Sequence, residues 1–342
     1  MTPTAPSAEA RTEAAERLAG LAVPSGALGR LGELAIWLAG VQGMCPPWPV
    51  TNVRAVVFAG DHGVTEYGVS AYPKEITPAM VRAFLNGGAG VAVLAEQHDV
   101  ALRILDIGVD DNLEGVDPAV KEFKIGRSCG PIHLEDAISR NDCARALIAG
   151  RAVARQEIAA GSDLLISGDM GIGNTTPAAA LIAAYYGFSA AEVTGRGTGI
   201  DEHMFVDKQG IITQALNRVS RRMDDPTATL AALGSADIAA SAGFMIEAAA
   251  QSVPVLLDGV IAVASAVAAN AIAPGSAAWF AAGHRSPEPA QSLALDKLGM
   301  EPLLDLGMRL GEGSGAIAAV PLIRSAALLL DQVLQLSDLG IS

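Results

Sequence analysis

Two hydrophobic periods alternate along this chain. Six short apolar runs, at 53–59, 102–107, 164–167, 253–257, 277–282 and 303–310, each end in glycine and polar residues. Runs of that length closed by turn residues predict buried β-strands. Between them lie helix-length stretches at 78–96, 135–160, 201–219 and 236–250. Strands alternating with helices predict an α/β fold: a parallel six-stranded sheet with right-handed crossovers and flanking helices. In such a sheet the strands end at one edge, and ligands bind there. The polar ends are Gly60-Asp61-His62-Gly63, Gly108-Val109-Asp110-Asp111, Ser167-Gly168-Asp169, Asp258-Gly259, Gly283-His284-Arg285-Ser286 and Gly311-Glu312-Gly313-Ser314-Gly315. They are predicted to converge on one site.

The two ends of the chain read differently. Residues 1–20 predict a frayed start and an amphipathic helix. Residues 28–41 predict a second helix with Leu31, Leu34, Ile36 and Leu38 on its apolar side. Cys45-Pro46-Pro47-Trp48-Pro49 breaks it. The tail, 316–336, reads as an apolar helix broken by Pro321 and marked by Arg324 and Asp331. The expected division is a large α/β domain over 45–312 and a smaller helical domain built from 1–44 and 313–342.

The run 164–167 leads into Gly168-Asp169-Met170-Gly171-Ile172-Gly173-Asn174-Thr175-Thr176-Pro177, and an alanine-rich run leads out. This is a strand, a glycine loop and a helix. Glycines leave the loop amides uncovered. Thr175 or Thr176 is expected to cap the helix, and Pro177 suits its first turn. A helix start behind bare amides attracts anions, so the loop reads as a phosphate cradle. It is not a P-loop, which ends in Gly-Lys-Ser/Thr, and Thr176 stands where a dinucleotide fingerprint needs its third glycine.

Composition narrows the partner. The chain has 342 residues, and its net charge of −14 argues against a nucleic-acid or anionic-membrane surface. An acidic protein that binds phosphate must do so with local amides and helix ends. Cys45, Cys129 and Cys143 show no paired or metal-ligand spacing, which fits reduced thiols in a cytoplasmic setting. The polar, acidic start of the chain does not read as a signal peptide. The apolar stretch 253–283 is interrupted by Asp258, Asn270 and Pro274-Gly275, so it reads as strand, helix, turn and strand, with no membrane span.

Among the histidines only His62 and His284 stand at predicted strand ends, and no ligand triplet appears, so a metal centre is not expected. No Gly-x-Ser-x-Gly elbow is present and no cysteine sits at a strand end, which disfavours nucleophilic catalysis. Asp110-Asp111 reads as a pair of solvated turn carboxylates. Glu312 is the sharpest candidate. Flanking glycines allow close approach of a substrate, and an apolar lining would lift its pKa toward that of a working base. The same residues also suit a surface glutamate in a flexible turn.

Seven motifs occur in order: GDHGV at Gly60, SAYP at Ser70, GDMGIGNTTPAAA at Gly168, GRGTG at Gly195, PVLLDG at Pro254, GHRSPEP at Gly283 and LGEGSGA at Leu310. Together, over roughly residues 25–330, they resemble the nicotinate-nucleotide–dimethylbenzimidazole phosphoribosyltransferase family of cobalamin biosynthesis. The resemblance implies a Rossmann-like large domain, a small helical domain from both chain ends, and a homodimer that completes each site. It implies transfer of ribose 5-phosphate from nicotinate mononucleotide to 5,6-dimethylbenzimidazole, giving α-ribazole 5′-phosphate and nicotinate. No cofactor and no metal are implied, because the leaving pyridinium departs as a neutral ring.

By the same resemblance Glu312 is the catalytic base, and Asp169 is a second acidic position where the family more often carries glutamate. Gly171, Gly173, Asn174 and Thr175 are implied to hold the nucleotide phosphate, with Ser286 and Lys208; a solvated helix position is the other reading of Lys208. Tyr72, Met80 and Leu310 are the expected base-pocket residues, though core packing would also account for Met80. Two other functions stay open on the residues alone: a nucleotide hydrolase, which would form product without an added aromatic base, and a non-enzymatic nucleotide-binding protein, for which Glu312 would have no use.

Overall fold

The computed structural model of this chain describes residues 3–340. Five parallel strands form one sheet: β1 (Val53–Gly60), β2 (Val100–Gly108), β3 (Leu164–Met170), β4 (Val255–Leu257) and β5 (Phe280–Ala282). Their order is β2-β1-β3-β4-β5. All of β3 and nearly all of β1 are buried, as strands covered on both faces must be. The chain reverses its direction of winding between β1 and β3, so a crevice opens beyond their carboxyl ends.

The sheet has five strands where the sequence predicts six. At 303–310 only Leu304 pairs, as a single bridge to His284. Its neighbours begin a sixth strand, with Leu303 N bonded to Ala282 O at 3.0 Å and Arg285 N to Leu304 O at 2.7 Å. Gly307, at φ +65°, then turns the chain away. Leu306 and Leu310 are left 65% and 52% exposed, so this run is apolar without being buried.

Two helix expectations also change. The stretch 78–96 divides into Ile76–Leu85 and Gly90–Gln97, because Gly87 adopts φ +73° and ends the first helix. The tail helix, by contrast, runs unbroken over Ser314–Gln332 with Pro321 inside it. Proline there forfeits one backbone bond, but Ile317, Val320, Ile323 and Ala327 on the buried side hold the helix in place. The stretch 253–283 folds as β4, the helix Val260–Ile272, a 3-10 turn and β5. The chain ends meet: Arg17 donates to Leu330 O at 2.6 Å and Asp331 O at 2.8 Å, and Leu21 bridges Gln335.

Small residues set the packing distance on one face of the sheet. The helices Arg140–Ala159 and Ala236–Ala250 cross so closely that a Cβ at Gly150 would stand 1.8 Å from Ala240 O, and one at Gly243 would stand 2.2 Å from Leu147 O. Backbone cannot yield at those points as a flexible side chain would. Gly150→Ala is therefore expected to destabilise by at least the ~1–3 kcal/mol typical of overpacking. Gly210→Ala, in the open middle of Glu202–Val219 with nothing within 4 Å, should instead stabilise by about 0.5–1 kcal/mol. Denaturant midpoints that move in the same direction for both variants would contradict this account of the packing.

Candidate functional site

The glycine loop stands at the switch point. Gly171 lies so close to β1 that a Cβ would meet Gly60 O at 2.1 Å and His62 Nε2 at 2.7 Å. Gly173 adopts φ +86°, and a Cβ there would meet Thr65 Cγ2 at 2.7 Å. Both positions exclude a side chain. The helix Thr175–Tyr186 starts directly behind; in its first turn Thr176 N donates to Gly173 O at 3.1 Å and Pro177 has no N–H, which leaves the Thr175 amide to face the loop. Neither threonine caps it as expected. Asn174 occupies the cap position, and its amide turns away to donate to Asp169 Oδ1 at 2.8 Å.

A cavity of about 690 Å³ opens over this loop. Asp169, Gly171, Gly173, Asn174, Thr175 and Ser286 line it, together with Tyr72, Met80, Leu310 and Glu312. Tyr72 is 55% exposed and lies at the mouth with Leu310, an apolar rim open to an incoming ring. Lys208 lies outside the lining. It is fully buried, and its Nζ donates to Thr175 Oγ1 at 2.8 Å and Gly195 O at 3.0 Å. Lys208 thus braces the cradle from behind, contrary to the solvated reading. A signal was present: it shares a helical stripe with Ile211, Ile212, Ala215 and Val219. Burial lowers its pKa, with the charge of Glu288 acting against that.

Ser286 is also committed elsewhere. Its amide donates to Gln291 Oε1 at 2.8 Å, and its hydroxyl donates to the same oxygen. To serve an anion the hydroxyl must exchange that bond.

Glu312 stands at the centre of three successive left-handed residues, Gly311 at φ +77°, Glu312 at +67° and Gly313 at +97°. The flanking glycines adopt this region freely; the glutamate does so at a cost of about 1–3 kcal/mol. Asp258 fixes the loop: its Oδ2 accepts from Gly313 N and its Oδ1 from Ala316 N, both at 3.0 Å. Burial penalises the Asp258 carboxylate, but His284, 3.3 Å away, and those two amides outweigh it and hold its pKa below the usual range. Glu312 differs. Burial pushes it up to about 7 against a single long bond from Val91 N at 3.4 Å, and the charge of Asp258 adds to the rise. Burial likewise pushes Asp169 well up, helped by the neighbouring Asp237 and opposed by His62 and Asn174.

Sequence reasoning missed the parts played by Asp258, Glu288, Arg309 and Asp237. Asp258 closes a predicted strand, which was the available signal. Glu288 Oε1 accepts from Gly197 N at 2.7 Å, and Arg309 reaches Gly197 O at 3.3 Å. Thr198 accepts from Ala71 N at 2.9 Å, so the 195–199 loop ties the Ser70–Tyr72 segment to the rim. Among the described residues no group of three or more His, Cys, Asp or Glu side chains is placed to hold a metal.

A doubly wound parallel sheet with a glycine cradle at its switch point and a buried, basic carboxylate beside it defines an α/β enzyme of the Rossmann-like class, built to act on a phosphorylated ligand. A family model described as phosphoribosyltransferase matches residues 4–341. The chain is 45% identical over 339 residues to the nicotinate-nucleotide–dimethylbenzimidazole phosphoribosyltransferase of Mycobacterium marinum, covering 99% of this chain and 94% of that one. It is 45% identical over 321 residues to the protein of the same name from Corynebacterium efficiens, covering 94% and 86%. Its fold matches the crystal structure of CobT from Thermus thermophilus with a TM-score of 0.93 at 40% identity, over 98% and 99% of the two chains. The chain belongs to the nicotinate-nucleotide–dimethylbenzimidazole phosphoribosyltransferase family, and it is a transferase of the pentosyl type.

The Glu312 shift has a consequence for stability. An acid with a pKa of about 7 when folded, against an ordinary value of 4.5, binds its proton more tightly in the folded chain. Its contribution is present below 4.5 and is lost as pH rises toward 7. Glu312→Gln should therefore gain melting temperature relative to the parent as pH rises across that window, with the gap closing at its acid end. A constant difference across the window would mean that Glu312 is not the buried acid described.

Proposed function

We propose that this protein moves ribose 5-phosphate from nicotinate mononucleotide to 5,6-dimethylbenzimidazole. The products are α-ribazole 5′-phosphate and nicotinate, and the nucleotide formed serves the lower-ligand loop of cobalamin. The observation that carries the reading is Glu312: a cavity-lining carboxylate whose pKa burial raises to about 7, with an apolar rim outside it and the phosphate cradle inside.

The chemistry follows from that arrangement. Gly171, Gly173, Asn174 and Thr175 receive the phosphate at the helix start, with Lys208 behind and Ser286 opposite. Tyr72, Met80 and Leu310 take the flat acceptor ring. The pyridinium carries the positive charge, so C1′–N cleavage releases neutral-ring nicotinate without an acid. One benzimidazole nitrogen attacks C1′ from the opposite face, which turns a β linkage into an α one. The other nitrogen loses its proton to Glu312. Asp169 is the second acidic side chain of the reaction centre.

The domain boundaries follow the same reading, with 45–312 as the catalytic body and 1–44 with 313–342 as the small helical unit. The exposed mouth residues support a homodimer whose interface covers them. The net charge of −14 supports a cytoplasmic enzyme with neither nucleic acid nor membrane as partner.

Glu312→Gln keeps the shape and removes the base. Turnover is expected to fall about 100- to 10,000-fold, with kcat and kcat/KM falling together. The parent's kcat/KM should rise with pH through about 7, the pKa of Glu312 in the unliganded chain. Calorimetric affinity for nicotinate mononucleotide should stay the same, because the glutamate meets the acceptor and not the phosphate. Near-parental turnover in the variant would remove Glu312 from the reaction. For the assembly, sedimentation velocity at assay concentration is expected to show a dimer; a fully active monomer would refute the shared interface.

A further inference from the structure

Three buried titratable side chains from three separate elements meet behind the cradle. His62 follows β1, Asp169 lies near the end of β3, and Asp237 lies in the first turn of Ala236–Ala250. His62 Nε2 is 3.5 Å from Asp237 Oδ2, and the carboxyl groups of Asp237 and Asp169 are adjacent. By hydrogen-bond geometry His62 Nε2, Asp237 Oδ2 and Asp169 Oδ2 all lack a partner, though each is buried. Room for the cluster is made by glycine. A Cβ at Gly60 would stand 2.5 Å from Asp237 Oδ1, and one at Gly171 would stand 2.7 Å from His62 Nε2. Of the three, only Asp169 lines the cavity.

Two buried carboxyl groups this close disfavour double ionisation, so one of them keeps its proton. The imidazolium decides which keeps it, because it stabilises the charge on Asp237, the nearer partner. The other groups packed here do not reverse that. Asp61 and Cys129 flank His62, with Cys129 Sγ 3.9 Å from Nδ1, Ser235 faces Asp237, and Asn174 donates to Asp169. We propose that His62 and Asp237 are positioning residues that fix a proton on Asp169, so that Asp169 lines the cavity as a neutral carboxyl group. This rests on the reading of the cavity as a nucleotide site. The cluster then sums to zero charge, His⁺, Asp⁻ and a neutral acid. A carboxylate beside the cradle would repel the phosphate and the nicotinate carboxylate; a neutral acid does not. The arrangement is consistent with the directions of shift, Asp169 and His62 upward and Asp237 downward.

The test uses nicotinate mononucleotide as the probe and binding as the readout. In protein carrying carbon-13 at the aspartate carboxyl groups, one resonance should report a protonated acid at neutral pH and disappear in Asp169→Asn. Asp237→Asn should convert that resonance to a carboxylate and weaken binding about tenfold or more, the equivalent of at least one pKa unit at Asp169. Affinity should recover as the variant is acidified, because Asp169 regains its proton. His62→Gln should shift the same resonance without abolishing it. In an Asp169→Asn background, Asp237→Asn should cost nothing further. Absence of a protonated aspartate in the parent, or an equal loss from Asp237→Asn in both backgrounds, overturns the inference and leaves the cluster structural. Failure of the parent itself to bind nicotinate mononucleotide would instead overturn the reading of the cavity.

Discussion

The carbonyl oxygen of Glu312 rests on the Cα of Gly168, so closely that a Cβ would stand 2.1 Å from it. Much of the site depends on that contact. It seats the base loop directly on β3, three residues before the glycine loop begins at Gly171. The Glu312 loop and the glycine loop are thereby both referred to one buried strand. The cost is backbone strain at Glu312, which is held by the two Asp258 bonds from one side and by Gly168 from the other. A strained residue persists only where its surroundings over-determine it, and here they do.

Charge is managed locally. A chain with net charge −14 has no global attraction for a nucleotide, so on the proposed reading binding falls to loop amides and a helix start. Acidic side chains near such a site would oppose it if ionised. Four line the cavity, Asp169, Asp258, Glu288 and Glu312, and the environments of three of them differ. Asp258 is kept ionised by backbone amides and His284, and its charge is spent on anchoring the base loop. Asp169 and Glu312 are pushed upward by burial, and an acid that holds its proton does not repel phosphate. Environments that drive chemically similar groups apart are how one pocket assigns them different work.

The parts legible in sequence were those set by local pattern. Apolar runs ending in glycine located all five strands, and their shared edge located the cavity, although the ends at 60–63 and 108–111, predicted to converge there too, do not line it. The run 303–310 misled because hydrophobicity is not burial: Leu306 and Leu310 face outward, and Gly307 turns the chain. Pro321 misled in the opposite sense, since tertiary contacts held a helix that local propensity would break. Glu312 was legible from its flanking glycines. Asp237 was not, since an aspartate in a first helical turn is explained by the helix dipole alone. Its contact with Asp169 exists only through the packing of Ala236–Ala250 on β1 and β3. Lys208 had a helical stripe to give it away, but which acceptors it would reach was a matter of tertiary geometry.

The raised pKa of Glu312 also bears on the order of events. A free benzimidazole N–H is far too weak an acid for any carboxylate to ionise. As the opposite nitrogen bonds to C1′, the ring acquires the positive charge that the pyridinium gives up, and the N–H becomes acidic. In the mechanism proposed above Glu312 takes the proton only then, so proton loss accompanies or follows attack. A carboxylate at about 7 holds that proton more firmly than an exposed glutamate at its ordinary value of 4.5, while still ionised often enough near neutrality to act. Its timing also explains the rigidity of the loop. The acceptor need arises late, at one nitrogen in one orientation, and a base fixed by Gly168 and Asp258 is already there when it does.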